Sequence, residues 1–150
     1  PQATAEAIKD GWLYTGDIGR VDEDGYLFLS GRKKEIIILK GQNIYPSDIE
    51  EVLQAHPKVA KAVVTGIPNK LRGEIVGAAI RLQEGEVVTE QDIRQFCQEH
   101  MADYKLPRQI IFTESLPSVA TTKAIRENLR DYLLALSALS SSSNQNKAEL

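Results

Sequence analysis

Three cations stand together at Arg32-Lys33-Lys34, and Lys40 closes the apolar run Ile36-Ile37-Ile38-Leu39 behind them. Glycines bracket the stretch at Gly31 and Gly41, and glycine admits positive φ or a close backbone approach. Cations beside such turns suit an anion, with phosphates or a carboxylate held by Arg32 and Lys40. The same residues also fit a solvated basic turn on a hairpin, since such patches are common and usually inert. Asp17, after Thr15-Gly16, offers two acceptor oxygens. The adjacent hydroxyls of a ribose are natural partners for one carboxylate, and a turn or cap is the plainer role. Lys123 is a single lysine after a long loop of small residues that starts at Glu114. Lys70, Arg72 and Gly73 sit in a second polar loop, and solvated surface fits them as well as an anion contact. Asp22-Glu23-Asp24-Gly25 lacks the full calcium-loop pattern and reads as a solvated turn. His56 and His100 are far apart, without metal-ligand spacing, and read as surface or helix-end residues.

The elements that must carry these residues follow from periodicity. Pro1 to Asp10 looks like the end of a helix begun elsewhere, as in a fragment of a longer protein. Ile18–Val21 and Tyr26–Ser30 flank an Asp-Gly turn, a hairpin signal. Ile36–Leu39 is continuously apolar and is expected to be a strand buried on both faces, with Lys40 to Asn43 turning the chain. Pro46 suits a first helical turn, and Ile49, Val52 and Leu53 share one face of the helix through Ala55. Ser47 and Glu50 would form a capping box if that helix began one turn later. Val59–Ile67, Ile75–Leu82 and Gln109–Thr113 read as three strands. Thr89, with Asp92 three residues on, caps a helix whose buried stripe is Ile93, Phe96, Cys97 and Met101. A last helix from Ala124 carries Ile125, Leu129, Tyr132, Leu133 and Leu136 on one side, and a Ser-rich polar tail begins at Ser137. The expected class is α+β: a β-hairpin followed by a small three-stranded sheet packed with helices.

A chain of 150 residues with 42% hydrophobic and 26% charged residues can bury one ordinary core. A net charge of −3 argues against a general nucleic-acid footprint, so any anion site is local. The lone Cys97 forms no internal disulfide and fits a reducing, cytoplasmic compartment. No run of 18 apolar residues exists. There is no transmembrane segment on this count, and membrane association stays open.

Four blocks in order, Tyr14-Thr15-Gly16-Asp17, Gly31-Arg32-Lys33-Lys34 through Ile49-Glu50, Tyr104-Lys105-Leu106-Pro107-Arg108, and Leu116-Pro117 through Lys123, resemble the C-terminal domain of the adenylate-forming enzymes. That group holds acyl-CoA synthetases, nonribosomal peptide adenylation domains and firefly-type luciferases, and the resemblance covers about residues 1 to 130. It implies an ATP-dependent acyl-CoA ligase that forms an acyl adenylate and then a thioester, most like those acting on fatty acids. By resemblance, Asp17 holds the ribose hydroxyls of ATP and Arg32 reaches its ribose and phosphate side. Lys34 is the hinge. Lys40, Gly41 and Gln42 line the thiol channel, with Gly66 beside CoA. Lys123 is the lysine of the first half-reaction. Residues 1–30 would then end the N-terminal domain and lead to the hinge, residues 31–136 would form a mobile lid, and residues 137–150 a tail. The partners implied are the N-terminal domain of the same chain, a carboxylic acid, ATP with Mg2+ bound outside this segment, and coenzyme A.

The chain departs from the family around Lys123. The family pattern Pro-x-Thr-x-Thr-Gly-Lys appears here as Pro117-Ser118-Val119-Ala120-Thr121-Thr122-Lys123, so Val119 replaces a hydroxyl residue and Thr122 replaces glycine. Ile125-Arg126 and Leu129-Arg130 keep the lysine in register. Ile38 stands where some aryl-CoA ligases have lysine, which disfavours an aryl substrate, and Lys33-Lys34-Glu35-Ile36-Ile37 and Asn43-Ile44-Tyr45-Pro46 look more like fatty acyl-CoA synthetases. The alternatives are an amino-acid adenylation domain serving a carrier protein, a non-catalytic small-ligand binding module, and a degenerate family member.

Overall fold

A computed structural model describes residues 1–114, 116 and 122–145, apart from the side chains of 122 and 140–145. A short helix α1 (Gln2–Ala7) leads into β1 (Ile8–Lys9) and β2 (Trp12–Leu13), joined by Asp10 and Gly11 at positive φ. The helix expected to run to Asp10 therefore stops at Ala7, because Asp-Gly supplies a two-residue hairpin turn. The hairpin β3 (Asp17–Val21) with β4 (Leu27–Arg32) forms as expected. Its acidic turn is organised by Asp22, whose Oδ1 accepts from the backbone N–H of Asp24 (3.1 Å) and Tyr26 (2.8 Å).

Beyond a 3-10 turn at Lys33–Glu35 come β5 (Ile37–Leu39) and β6 (Gln42–Ile44), a hairpin closed by Lys40 and Gly41 alone. Ile37 and Leu39 are buried while Ile38 is 52% exposed. The apolar run is thus a one-sided strand, because this hairpin lies at the margin of the sheet and only one face meets the core. Helix α2 (Pro46–Ala55) starts at its proline. Its Ser47 and Glu50 make no capping box: the Ser47 hydroxyl donates to the Ser30 carbonyl at 2.6 Å, and Glu50 is engaged elsewhere.

The centre is β7 (Val59–Asn69) antiparallel to β8 (Gly73–Leu82). The other edge of β8 takes β5 at Leu39 opposite Gly73 and, further along, the parallel strand β9 (Gln109–Phe112). The three expected strands form, and β5–β6 extends them to five. Helix α3 (Glu90–His100) has the Thr89–Asp92 capping box and buries Ile93 and Cys97. It packs with α2 on one face of the sheet, against Val64, Val76 and Ile80. Helix α4 (Thr122–Gln145) covers the other face. Its Ile125, Leu129 and Leu133 are buried, whereas Tyr132 and Leu136 are exposed beside that stripe. The α4 helix runs on past Ser137, whose hydroxyl donates to the Leu133 carbonyl at 3.0 Å.

Candidate active site

Lys123 stands in the first turn of α4, its side chain 66% exposed and 3.8 Å from Glu127. Residues 117–121, with the substitutions before this lysine, lie outside the described residues. On β3 and β4, Asp17 and Arg32 are register partners, and Arg32 Nε lies 3.2 Å from Asp17 Oδ1. Lys34 is exposed in the 3-10 turn. Arg32, Lys34, Gly66 and Lys123, from four separate segments, line one cleft of about 410 Å³ with Thr15, Glu74 and Arg130. Asp17 lines an adjoining cleft of about 670 Å³, also with Arg32 and Lys123. Cations and a carboxylate from the two ends of the chain thus converge, an arrangement able to hold a phosphorylated ligand carrying a ribose.

Lys40, Gly41 and Gln42 line neither of these clefts. They occupy the β5–β6 tip, where Lys40 takes φ +49° and Gly41 φ +81°. A lysine at positive φ is strained. The Lys40 N–H donates to the Arg72 carbonyl at 3.0 Å, which sets this tip beside the loop of Lys70 and Arg72. Asn69 Oδ1 shapes that loop by accepting from the Leu71 and Arg72 N–H groups, each at 3.1 Å. The sequence-derived residues therefore fall into two groups, one around Lys123 and one at the hairpin tip.

The sequence missed the carboxylates and arginines that support the first group. Arg126 Nη1 pairs with Glu35. Arg126 Nη2 donates to both carboxylate oxygens of Glu50 at 2.9 Å, and Nε donates to the Val64 carbonyl at 3.1 Å. Burial pushes the Glu50 carboxyl above its ordinary value, against the Val64 N–H and the Lys61 charge, and burial lowers the Arg126 guanidinium. One turn on, Arg130 lies 3.3 Å from Glu74, whose other oxygen accepts from the Ile38 N–H at 2.7 Å. A Cβ on Gly66 would meet the Glu74 carboxylate at 2.8 Å, so glycine keeps this strand open to the cleft. The signal in the sequence is Arg126 and Arg130 spaced i, i+4 beside the apolar positions 125 and 129. Among the described residues, no group of three or more His, Cys, Asp or Glu side chains is placed to hold a metal ion.

The model of the AMP-binding enzyme C-terminal domain matches residues 48–123. The chain belongs to this family. A 2-succinylbenzoate–CoA ligase of Geobacillus sp. (strain WCH70) is 45% identical over 133 residues, 89% of this chain and 27% of its own length. The fatty acid–[acyl-carrier-protein] ligase ScoC of Streptomyces coeruleorubidus is 44% identical over 131 residues, 87% of this chain and 25% of that protein. ATP-bound MatB from Rhodopseudomonas palustris superposes with a TM-score of 0.79 at 32% identity, covering 88% of this chain and 27% of that one. This AMP-binding C-terminal domain thus spans about a quarter of the length of these relatives.

Proposed function

We propose that this domain is the mobile catalytic lid of a longer ATP-dependent acyl-CoA ligase. The observation that carries the proposal is the convergence of Lys123, Arg32 and Lys34 on one cleft, with Asp17 next to it, while Lys40-Gly41-Gln42 stand apart at a hairpin tip. In the first half-reaction a carboxylate oxygen attacks the α-phosphate of ATP. The P–O bond to the β-phosphate breaks, and pyrophosphate leaves from an acyl adenylate. Two anions must meet, and the exposed Lys123 ammonium offsets their repulsion and stabilises the transition state. Lysine suits the role because its charge is compact and its stem flexible. Asp17 holds the ribose hydroxyls, and Arg32 exchanges its contact with Asp17 for the nucleotide. Mg2+ accompanies ATP on residues outside this chain.

In the second half-reaction the CoA thiol releases its proton to solvent and the thiolate attacks the same carbonyl. The thioester forms as the bond to AMP breaks. Rotation about Lys34 removes Lys123 and brings in the tip at Lys40, Gly41 and Gln42, a conformational step between two chemistries at one centre. Lys70 and Arg72, tied to that tip, suit the CoA phosphates, whereas Gly66, expected beside CoA, lines the Lys123 cleft instead. Residues 1–30 belong with the rest of the longer chain, residues 31–136 form the lid, and residues 137–150 are its Ser-rich tail, into which α4 continues as far as Gln145. Fatty and aromatic acids are both substrates to test, because Ile38, at which the sequence disfavoured aryl acids, lines neither cleft. A carrier-protein thiol in place of CoA is the second possibility, favoured by the 44% identity to ScoC.

The test is to supply the longer chain with ATP, CoA and a panel of fatty and aromatic acids. The expected products are AMP, pyrophosphate and an acyl-CoA. Release of ADP, or binding of ligand without AMP formation across the panel, would reject the ligase.

A further inference from the structure

The hydrogen bonds on either side of Lys34 hold its neighbours to two different bodies. Before it, Arg32 is ion-paired with Asp17 at 3.2 Å and the Lys33 N–H donates to the Gly16 carbonyl at 2.8 Å. Both belong to the β3–β4 hairpin. After it, the Glu35 carboxylate is held by Arg126, and Ile37 is fully buried in the sheet. Among the described residues, the Lys34 side chain has no hydrogen bond or ion pair, and it is exposed.

Arg126 is built to grip. Its side chain is only 12% exposed, and it reaches three elements: Glu35 in the 3-10 turn, Glu50 on α2 and the Val64 carbonyl on β7. Glu50 closes the circuit by accepting from the Val64 N–H at 2.8 Å. A guanidinium presents five donors in a rigid planar fork, so one side chain can satisfy several acceptors at fixed angles. Arg126 also lies three residues after Lys123 on the same helix. Whatever moves Glu35 relative to Arg126 therefore moves Lys123 relative to the pivot.

We propose that Arg126 is a positioning residue that clamps Glu35 to the rotating body, confining the pivot to Lys34 and carrying Lys123 to a reproducible place. The inference rests on the hinge role given to Lys34 above and deepens it. A diffuse hinge would let Lys123 arrive at scattered positions, and a misplacement of about 1 Å can cost about a hundredfold in rate.

The test uses backbone ¹⁵N relaxation on the 150-residue chain, which carries its own two apolar cores. In the wild type, Glu35 and Ile36 should show order parameters of about 0.85, and Glu35→Ala should bring them below about 0.6. Val64, Glu50 and the first turn of α4 should keep wild-type values in that variant, because the Arg126–Glu50–Val64 circuit survives. Arg126→Lys, which keeps the charge and loses the fork, should loosen Glu35 in the same way. In the longer chain, Glu35→Ala should slow both half-reactions about tenfold, since both poses turn on the same pivot. Unchanged order at Glu35 in Glu35→Ala would overturn the clamp, and so would equal loosening at Val64. The relaxation pattern needs no activity. A loosened Glu35 in a chain that forms no thioester would reject the ligase and keep the clamp.

Discussion

Asp92 accepts from the Thr89 hydroxyl at 2.7 Å and the Thr89 backbone N–H at 3.0 Å, and these bonds hold its carboxyl below the ordinary 3.8. A carboxyl lowered by folding stabilises the fold above its unfolded value, and that stabilisation is lost as pH falls through the folded value. The melting temperature of the wild type should therefore decline below pH 3.8 by more than that of Asp92→Asn, which has no proton to take up there. Parallel acid profiles of the two proteins would contradict the capping role. Glu50 acts in the opposite sense: burial raises its carboxyl above 4.5, so its contribution weakens as pH rises between 4.5 and the raised value. The two effects separate because only the first is removed by Asp92→Asn. The Thr89–Asp92 box was legible in the sequence, since both partners lie within one turn. The partners of Glu35, Glu50 and Glu74 were not, because Arg126 and Arg130 stand 91, 76 and 56 residues away and only the folded sheet brings them near.

At the scale of elements, α4 depends on one missing side chain in β8. A Cβ on Gly77 would come 2.4 Å from Ile67 Cδ1 and 2.7 Å from Leu133 Cδ1, both in the core under α4. Gly77→Ala should therefore destabilise the domain by about 1–3 kcal/mol, read as a lower urea midpoint. An unchanged midpoint would mean that α4 does not press on the sheet as described. Strands β7, β8 and β9 and helices α2 and α3 were readable because each has a clear period or a long apolar run. Strands β1, β2 and β6 were not, being two or three residues long, too short for a period to register. The exposure of Ile38, Tyr132 and Leu136 was also hidden. Apolar type gave the residues of a face, while the margin of the sheet decides where that face ends.

Across the whole molecule the two hairpins before Lys34 expose Trp12 (73%), Tyr14, Leu27 and Leu29 and contribute no residue to the two buried cores, which both lie in the body after it. An uncovered apolar surface of this kind suits contact with the rest of a longer chain. The Ser47–Ser30 hydrogen bond crosses the proposed pivot and would break on rotation. The family was legible in four ordered sequence blocks; the Arg126 contacts to Glu35, Glu50 and the Val64 carbonyl were not. The central claim is that one domain presents two faces in turn, with Lys123 on the first and the Lys40-Gly41-Gln42 tip on the second. The direct measurement compares wild type and Lys123→Ala of the longer chain, in pyrophosphate exchange and in thioester formation from a pre-made acyl adenylate. Exchange should fall by about a hundredfold or more while thioester formation is largely retained. Equal survival of both half-reactions would contradict the account, because Lys123 would then not be the residue that brings carboxylate and phosphate together.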